Sequence, residues 1–548
     1  MRPAIRRFAF LSFCIWVTGA TSERSVHAAD SPQEAAAQVD RMLASELLGG
    51  EATKPVGSTS DEIFLRRVTL DIIGRLPEPA EIAKFTADAD PDKRRKVVQT
   101  LLADERYGEN WGRYWRDVIA YRRSDDRAAI SLPAMTTYLT AQLNQNTPWD
   151  QIATAMITAS GDVRESGETG LIMMQGGRPE ETVAEISRIF LGIQIQCAQC
   201  HDHPTDRWQR QQFHELAAFF PRVAIRPNRD AEMRSFLVVA NDAPGRGRPN
   251  MNNRFRGTPE HYMPDMENPA ARGTLMQPVF FVTGEKLARG TADEQRRGKL
   301  AEWITSPDNP WFARAMVNRM WSELTGEGFY EPVDDMGPDR TATAPETLDY
   351  LAGEFAASGY NVKWLMESIL ATEAYQRDSL SRRDADDAPM LANCPQPLRG
   401  DQLYDALTSA LELPQVSGAV GPGGPGQFRR GRGGGRGPFV QTFGYDPSVS
   451  RDEVTGSIPQ ALMLMNSPVV NEGISGANRR GVLGRLLAGV KEDDQLTTEL
   501  YLRVLARGPS PSELQTCLNY VEETNNRREA FEDILWALVN STEFLYRR

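Results

Sequence analysis

A chain of 548 residues, 40% hydrophobic and 25% charged, is long enough for roughly two to four globular domains, and its five cysteines rule out a small disulfide-built scaffold. The formal net charge is −12, moving to −15 (58 basic against 73 acidic residues) when residues 1–28 are removed. So acidic a chain argues against nucleic acid or anionic lipid as its primary partner.

The opening MRPAIRRFAFLSFCIWVTGA sets Arg2, Arg6 and Arg7 ahead of an apolar run over 8–17 and then small residues, the layout of a secretory signal. Val26-His27-Ala28 suits cleavage, so 1–28 reads as a signal peptide; Phe13 before Cys14 gives no lipoprotein site. No later stretch offers the roughly 20 apolar residues that span a bilayer. The mature chain is therefore expected to be exported, periplasmic or extracellular, with no transmembrane segment.

Residues 29–59 read as an N-terminal helix or tether, rich in Ala, Glu and Leu over 33–48. Ser60 and Asp61 can cap a helix carrying Ile63, Phe64, Val68 and Ile72, which Gly74 stops before Pro77 and Pro79. The helical pattern then runs from Lys93 through Trp111 to Trp115. LLADERY (101–107) resembles ILATEAY (369–375) and LVNSTEF (538–544), and PEPAEI (77–82) resembles PSPSEL (509–514). Duplicated helical units explain this, as does convergence of amphipathic helices that end alike.

The chemistry concentrates in CAQCHDHPTDRWQRQQFHELAAFF, 197–220, which holds two of the five cysteines and three of the five histidines. Val183, Ile186, Ile189, Phe190 and Ile193 approach it as the stripe of a packed helix; were that helix to continue, Cys197, Cys200 and His201 would share one face. C-x-x-C-H is the spacing of c-type haem attachment, with Cys197 and Cys200 as thioether anchors and His201 as the iron ligand. A disulfide between the two thiols is an alternative. So is tetrahedral zinc on Cys197, Cys200, His203 and either His201 or Asp206. A distal iron ligand would come from Met173, Met174, His214, His261, Met263 or Met266, since His203 is too near His201. His214 otherwise reads as a partly buried structural histidine and Trp208 as core.

Residues 223–290 are crowded with Pro, Gly, Asn and Arg, a loop-rich insert in which only 236–240 and 279–282 look like strands. Helices resume over 296–324. Asp334 and Asp335, beside Asn318 and Arg319, are expected to cap helices or pair with arginines rather than form an acid-base site. The tract 417–437, rich in Gly and Arg, reads as a flexible insertion.

FLRRVTLDIIGRLPEPAEIAKF (64–85) together with the 197–220 motif resembles the planctomycete cytochrome c-like domain of secreted bacterial proteins. RGKLAEWITSPDNPWFARAMVNRMWSELTGEGFYEPVDD, YNVKWLMESILATEAYQ, IPQALMLMNSPVV and LYLRVLARGPSPSEL resemble its usual companion, the planctomycete secreted domain. Both are domains of unknown function. The resulting division is 1–28 signal peptide, 29–59 tether, 60–222 cytochrome c-like domain, 223–290 insert and 291–548 secreted domain. The expected fold is mainly α and multi-helical, with a loop-rich insert and a small β element in the middle.

The leading expectation is an exported c-type cytochrome-like protein holding haem c and meeting a redox partner. The alternatives are a non-haem envelope scaffold for protein or polysaccharide, with a structural disulfide, or a metal-dependent hydrolase using His201, His203 and Asp206. No Ser-His-Asp order, phosphate loop or paired catalytic carboxylate marks an enzyme.

Overall fold

Ser60 accepts the Ile63 N–H at 3.3 Å and starts the helix Asp61–Ile73, which Gly74 ends in the left-handed region at φ 70°. All but the first three residues of that helix are buried, Arg66 and Arg67 included. A buried guanidinium is stable only when its donors find acceptors. Arg66 donates to the carbonyls of Glu543 (2.7 Å), Phe544 (3.2 Å) and Tyr546 (3.3 Å), and Arg67 to that of Arg548 (2.8 Å). One helix near the front of the chain thus holds its last six residues.

The computed structural model describes residues 28–48, 57–242, 257–380, 390, 392–413, 436–449, 454 and 456–548. The expected signal peptide, but for Ala28, and nearly all of the expected insertion at 417–437 lie outside the described residues. The chain is mainly α, as the sequence predicts. One apolar core runs from Val39 to Tyr375 through Trp111, Trp115, Trp149 and Phe190. A second gathers residues between Leu398 and Phe544 and takes in Leu70 and Leu76 from the front of the chain.

The largest sheet is small and antiparallel, ordered Gly161–Asp162, Ser235–Ala240, Val223–Asn228. The 236–240 strand is therefore present. The expected strand at 279–282 is not: Phe280 N–H bonds back to Glu285 and Gly284 N–H to Phe280, leaving one isolated bridge from Val279 to Lys286. Its apolar run serves packing instead, Phe280 stacking on Trp303 and Phe281 meeting Trp208 edge-on. A run of four apolar residues cannot by itself distinguish a strand from a buried turn. The expected helix from Lys93 to Trp115 breaks into Lys93–Leu102 and Arg106–Ala120.

The sequence resemblances recur in three dimensions. Arg75 grips Glu81 with two hydrogen bonds (2.8 and 3.0 Å) while Glu81 accepts the Glu78 N–H; Arg507, Glu513 and Ser510 repeat this arrangement at 2.8 and 2.9 Å. Thr372 and Ser541 likewise cap the short helices Glu373–Gln376 and Thr542–Leu545, which begin inside ILATEAY and LVNSTEF.

The helix Pro179–Ile186 ends through a π-turn, Ser187–Leu191, at Gly192 with φ 66°, whose carbonyl accepts the Met336 N–H at 2.8 Å. A Cβ on Gly192 would lie 2.6 Å from the Met336 sulfur. Gly192→Val is expected to lower unfolding free energy by about 2–4 kcal/mol through backbone strain and overpacking, read by urea titration. A change below about 0.5 kcal/mol would show that this junction yields freely.

Candidate functional site

The helix does not continue into the motif, because Gly192 stops it five residues before Cys197. Ile195 instead opens a separate 3₁₀ turn, Gln196–Gln199, by accepting the Ala198 N–H at 2.9 Å. Ile195 and Ala198 are sunk in the core. With three residues per turn, their burial leaves Cys197 and Cys200 together on the outer side, both exposed and both free thiols.

His201 is exposed, and its Nδ1–H donates to the Asp202 carbonyl at 2.7 Å. A carbonyl can only accept, so the proton sits on Nδ1 and Nε2 keeps its lone pair, the tautomer of a metal-binding imidazole. His203 differs. Its Nδ1 accepts the Thr205 N–H at 3.4 Å, which puts the proton on Nε2.

The turn is pinned from behind at Gln199. Buried His214, on the helix Arg210–Ala217, donates Nε2–H to the Gln199 carbonyl at 3.0 Å. That leaves His214 Nδ1 to accept from Nε2–H of buried His261 at 2.9 Å, with the rings stacked 5.2 Å apart. Arg210 donates to the same carbonyl at 3.3 Å and to the Pro264 carbonyl at 2.6 Å, while its own N–H bonds Asp202 at 2.9 Å. His261 and Pro264 flank the strand Tyr262–Met263, which pairs with Thr274–Leu275. Gln199 therefore ties the motif to this hairpin at two points.

Burial drives both histidines toward the neutral form, His214 down to about 4 and His261 to about 3, the latter helped by its neighbour. The unfolded chain takes up these protons near 6.5, so the contribution is complete above that value and lost as pH falls toward 4 and then 3. We expect unfolding free energy to drop by up to roughly 1.4 kcal/mol per pH unit for each proton. In His214→Gln/His261→Gln this slope should flatten between pH 6 and 4. A slope equal to that of the unsubstituted chain would assign acid sensitivity to the carboxylates.

Asp206 turns away from the thiols. Its carboxylate covers Gly337, where a Cβ would come within 1.5 Å of Oδ2, and its pKa is raised by burial and then by the neighbouring Asp339. Arg207 pairs with Asp339 at 3.8 Å, so the 337–340 turn covers the motif's far end. Among the described residues, no three His, Cys, Asp or Glu side chains are grouped to hold an ion. Met173 and Met174 are wholly buried in the first core, and Trp208 is core as expected, its indole N–H buried without an acceptor among the described residues. Asp334 pairs with Arg188 and Arg319, and Asp335 with Arg340, as expected of carboxylates in a turn. A polar crevice bordered by Asp71, Glu323, Arg399 and Arg547 lies elsewhere, and no residue of the motif lines it.

Sequence reasoning missed the roles of Gln199, Asp202 and Arg210, since a backbone acceptor leaves no trace in residue type. The one available signal was the crowding of histidines at 201, 203 and 214.

This is a mainly helical protein that presents two thiols and one imidazole on a braced surface turn. Residues 38–224 match the PSCyt2 family and residues 296–425 the PSD1 family, described as proteins of unknown function DUF1549 and DUF1553. The two matches are to the planctomycete cytochrome-like and secreted domains, in that order. The second match ends short of the 458–548 stretch. No curated protein and no solved structure matches the chain. No helix among the described residues is long and apolar enough to cross a membrane.

Proposed function

We propose that this is an exported c-type cytochrome-like protein in which Cys197 and Cys200 anchor haem c and His201 Nε2 binds its iron. The observation that carries the reading is the exposure of both thiols on one 3₁₀ turn, next to an imidazole whose Nδ1–H is already bonded to a carbonyl. The donor set matches the group: two thiols for thioether bonds and one nitrogen lone pair for iron. When bound, haem supplies one-electron transfer.

The chain's own residues do the positioning. Asp202 fixes the imidazole tautomer, while His214 and Arg210 hold the Gln199 carbonyl so that the thiols and His201 keep one geometry. The acidic chain suits a redox partner with a basic face.

The test is a pyridine haemochrome spectrum of the chain exported from a host with cytochrome c maturation machinery. One c-type haem per chain is expected, with loss of covalently retained haem in Cys197→Ala/Cys200→Ala. Folded, colourless protein would overturn the proposal. Thiol counting and metal analysis would then decide between a disulfide and zinc.

A further inference from the structure

We infer that the chain is cut between Ala28 and Ala29 and that the α-ammonium group this frees docks on Glu354, so that loss of the leader completes the fold. This rests on the export half of the reading above and is independent of haem. Hydrolysis of the Ala28–Ala29 amide by the exporting cell's leader peptidase adds water across the bond. It leaves a carboxylate on Ala28 and an amine on Ala29, which takes up a proton.

The chain passes from surface to fold at this point. Ala28 is exposed, whereas Ala29 and Asp30 are half-buried. Asp30 is held on three sides: its N–H donates to Glu354 Oε2 at 2.7 Å, its carbonyl accepts the Trp364 indole N–H at 3.0 Å, and its Oδ2 accepts the Tyr350 hydroxyl at 2.7 Å. Tyr350 and Glu354 stand one turn apart on the helix Pro345–Ala357, and Trp364 on the helix Val362–Ala371. The helix Pro32–Leu48 begins at once, with Ser31 N–H donating to Glu34 (3.0 Å) and Glu34 N–H to Ser31 Oγ (3.4 Å). That helix is docked along its length, with Ala35, Val39 and Leu43 buried. Its carboxylates cap two helices of the second matched region: Asp40 accepts the Glu373 N–H at 3.0 Å, and Glu46 those of Glu346 (2.8 Å) and Thr347 (3.0 Å). The new terminus is thus delivered to one fixed place.

Charge favours an ammonium there. One residue of extended chain spans at most about 3.6 Å, so a terminal nitrogen on Ala29 lies within roughly 6 Å of the Glu354 carboxylate while Asp30 keeps every contact. Opposite charges at that separation favour the ionised forms. The positive end of the helix Pro32–Leu48 opposes an ammonium, but the carboxylates of Asp30, Glu34 and Glu354 outnumber it. Glu354 is 6% exposed, where salt screens an ion pair less than at the surface. With the leader attached, Ala29 carries a neutral amide and this attraction is missing.

The experiment exports the full-length chain and reads its first residue by N-terminal sequencing and intact mass. Ala29 is expected. Urea titration then compares the mature chain with one that retains Ser25–Ala28, in which the contacts of Asp30 persist and the charge is moved away. The extension is expected to raise the unfolding equilibrium constant roughly five- to thirty-fold, and to lose that effect in Glu354→Gln, whose amide oxygen still accepts the Asp30 N–H. An exported chain that starts at another residue overturns the inference. So does an extension without effect, or one whose effect is equal in Glu354→Gln, although the export reading then stands. If the chain stays inside the cell with residues 1–28 attached, both fall together.

Discussion

Arg188→Met is expected to cost about 3–5 kcal/mol of unfolding free energy, because it strips the cation from a cluster that has no access to water. Arg188, Glu185 and Asp334 are 3%, 6% and 2% exposed. The guanidinium donates to Glu185 (2.6 Å), Asp334 (2.8 Å), Ser448 (2.7 Å) and the Val118 carbonyl (2.6 Å), and Arg319 holds the other oxygen of Asp334. Without Arg188, Glu185 loses its partner and Asp334 keeps one. The measurement is urea unfolding followed by tryptophan fluorescence, with Glu185→Gln added in a second variant. That variant should recover part of the loss, since an uncharged amide is cheaper to bury than a lone carboxylate. A single-variant loss below about 1 kcal/mol would mean that Arg188 is compensated locally.

Asp71→Ala should be comparably severe, at about 3–5 kcal/mol, and should act on the joint between the chain's two ends. Asp71 accepts Arg547 Nε–H at 2.6 Å and the Tyr375 hydroxyl at 2.7 Å, so both carboxylate oxygens are in use. Its removal takes from Arg547, buried with Arg67 around the Tyr375 ring, the carboxylate that it is bonded to. Tyr375→Phe removes one hydrogen bond and should cost about 1 kcal/mol. Hydrogen exchange reads the joint directly at the Leu398 amide, which donates to the Leu545 carbonyl at 2.9 Å. Faster exchange there is expected in Asp71→Ala. Unchanged exchange would show that Arg66 and Arg67 hold the joint without it.

What the sequence discloses is local. Ser60, Gly74 and the Ser510–Glu513 pair announce their helix ends, because a cap needs a particular side chain within three or four residues. The mainly α fold and the strand at 236–240 follow from periodicity and composition in the same way. The candidate site was legible as a list of residue types, Cys197, Cys200 and His201, and no further. Its bracing consists of backbone carbonyls gripped by residues far along the chain, which no spacing rule encodes. Arg66 and Arg67 show the same limit: in FLRRVTL two arginines suggest a solvated face, yet both are buried because acceptors arrive from 477 and 481 positions away. The motif's helix ended early for a similar reason, since Gly192 is fitted to Met336.

The grip of Arg66 and Arg67 on residues 543–548 makes the unit of folding larger than the unit of family resemblance. A boundary drawn after residue 425, where the second match stops, would cut away carbonyls to which two buried guanidiniums of the first matched region donate. Neither matched segment is then a self-sufficient module that could be shuffled into another protein unchanged. The stretch beyond the matches acts as a keystone, joined to the front of the chain by its backbone carbonyls and by the Arg547 side chain on Asp71.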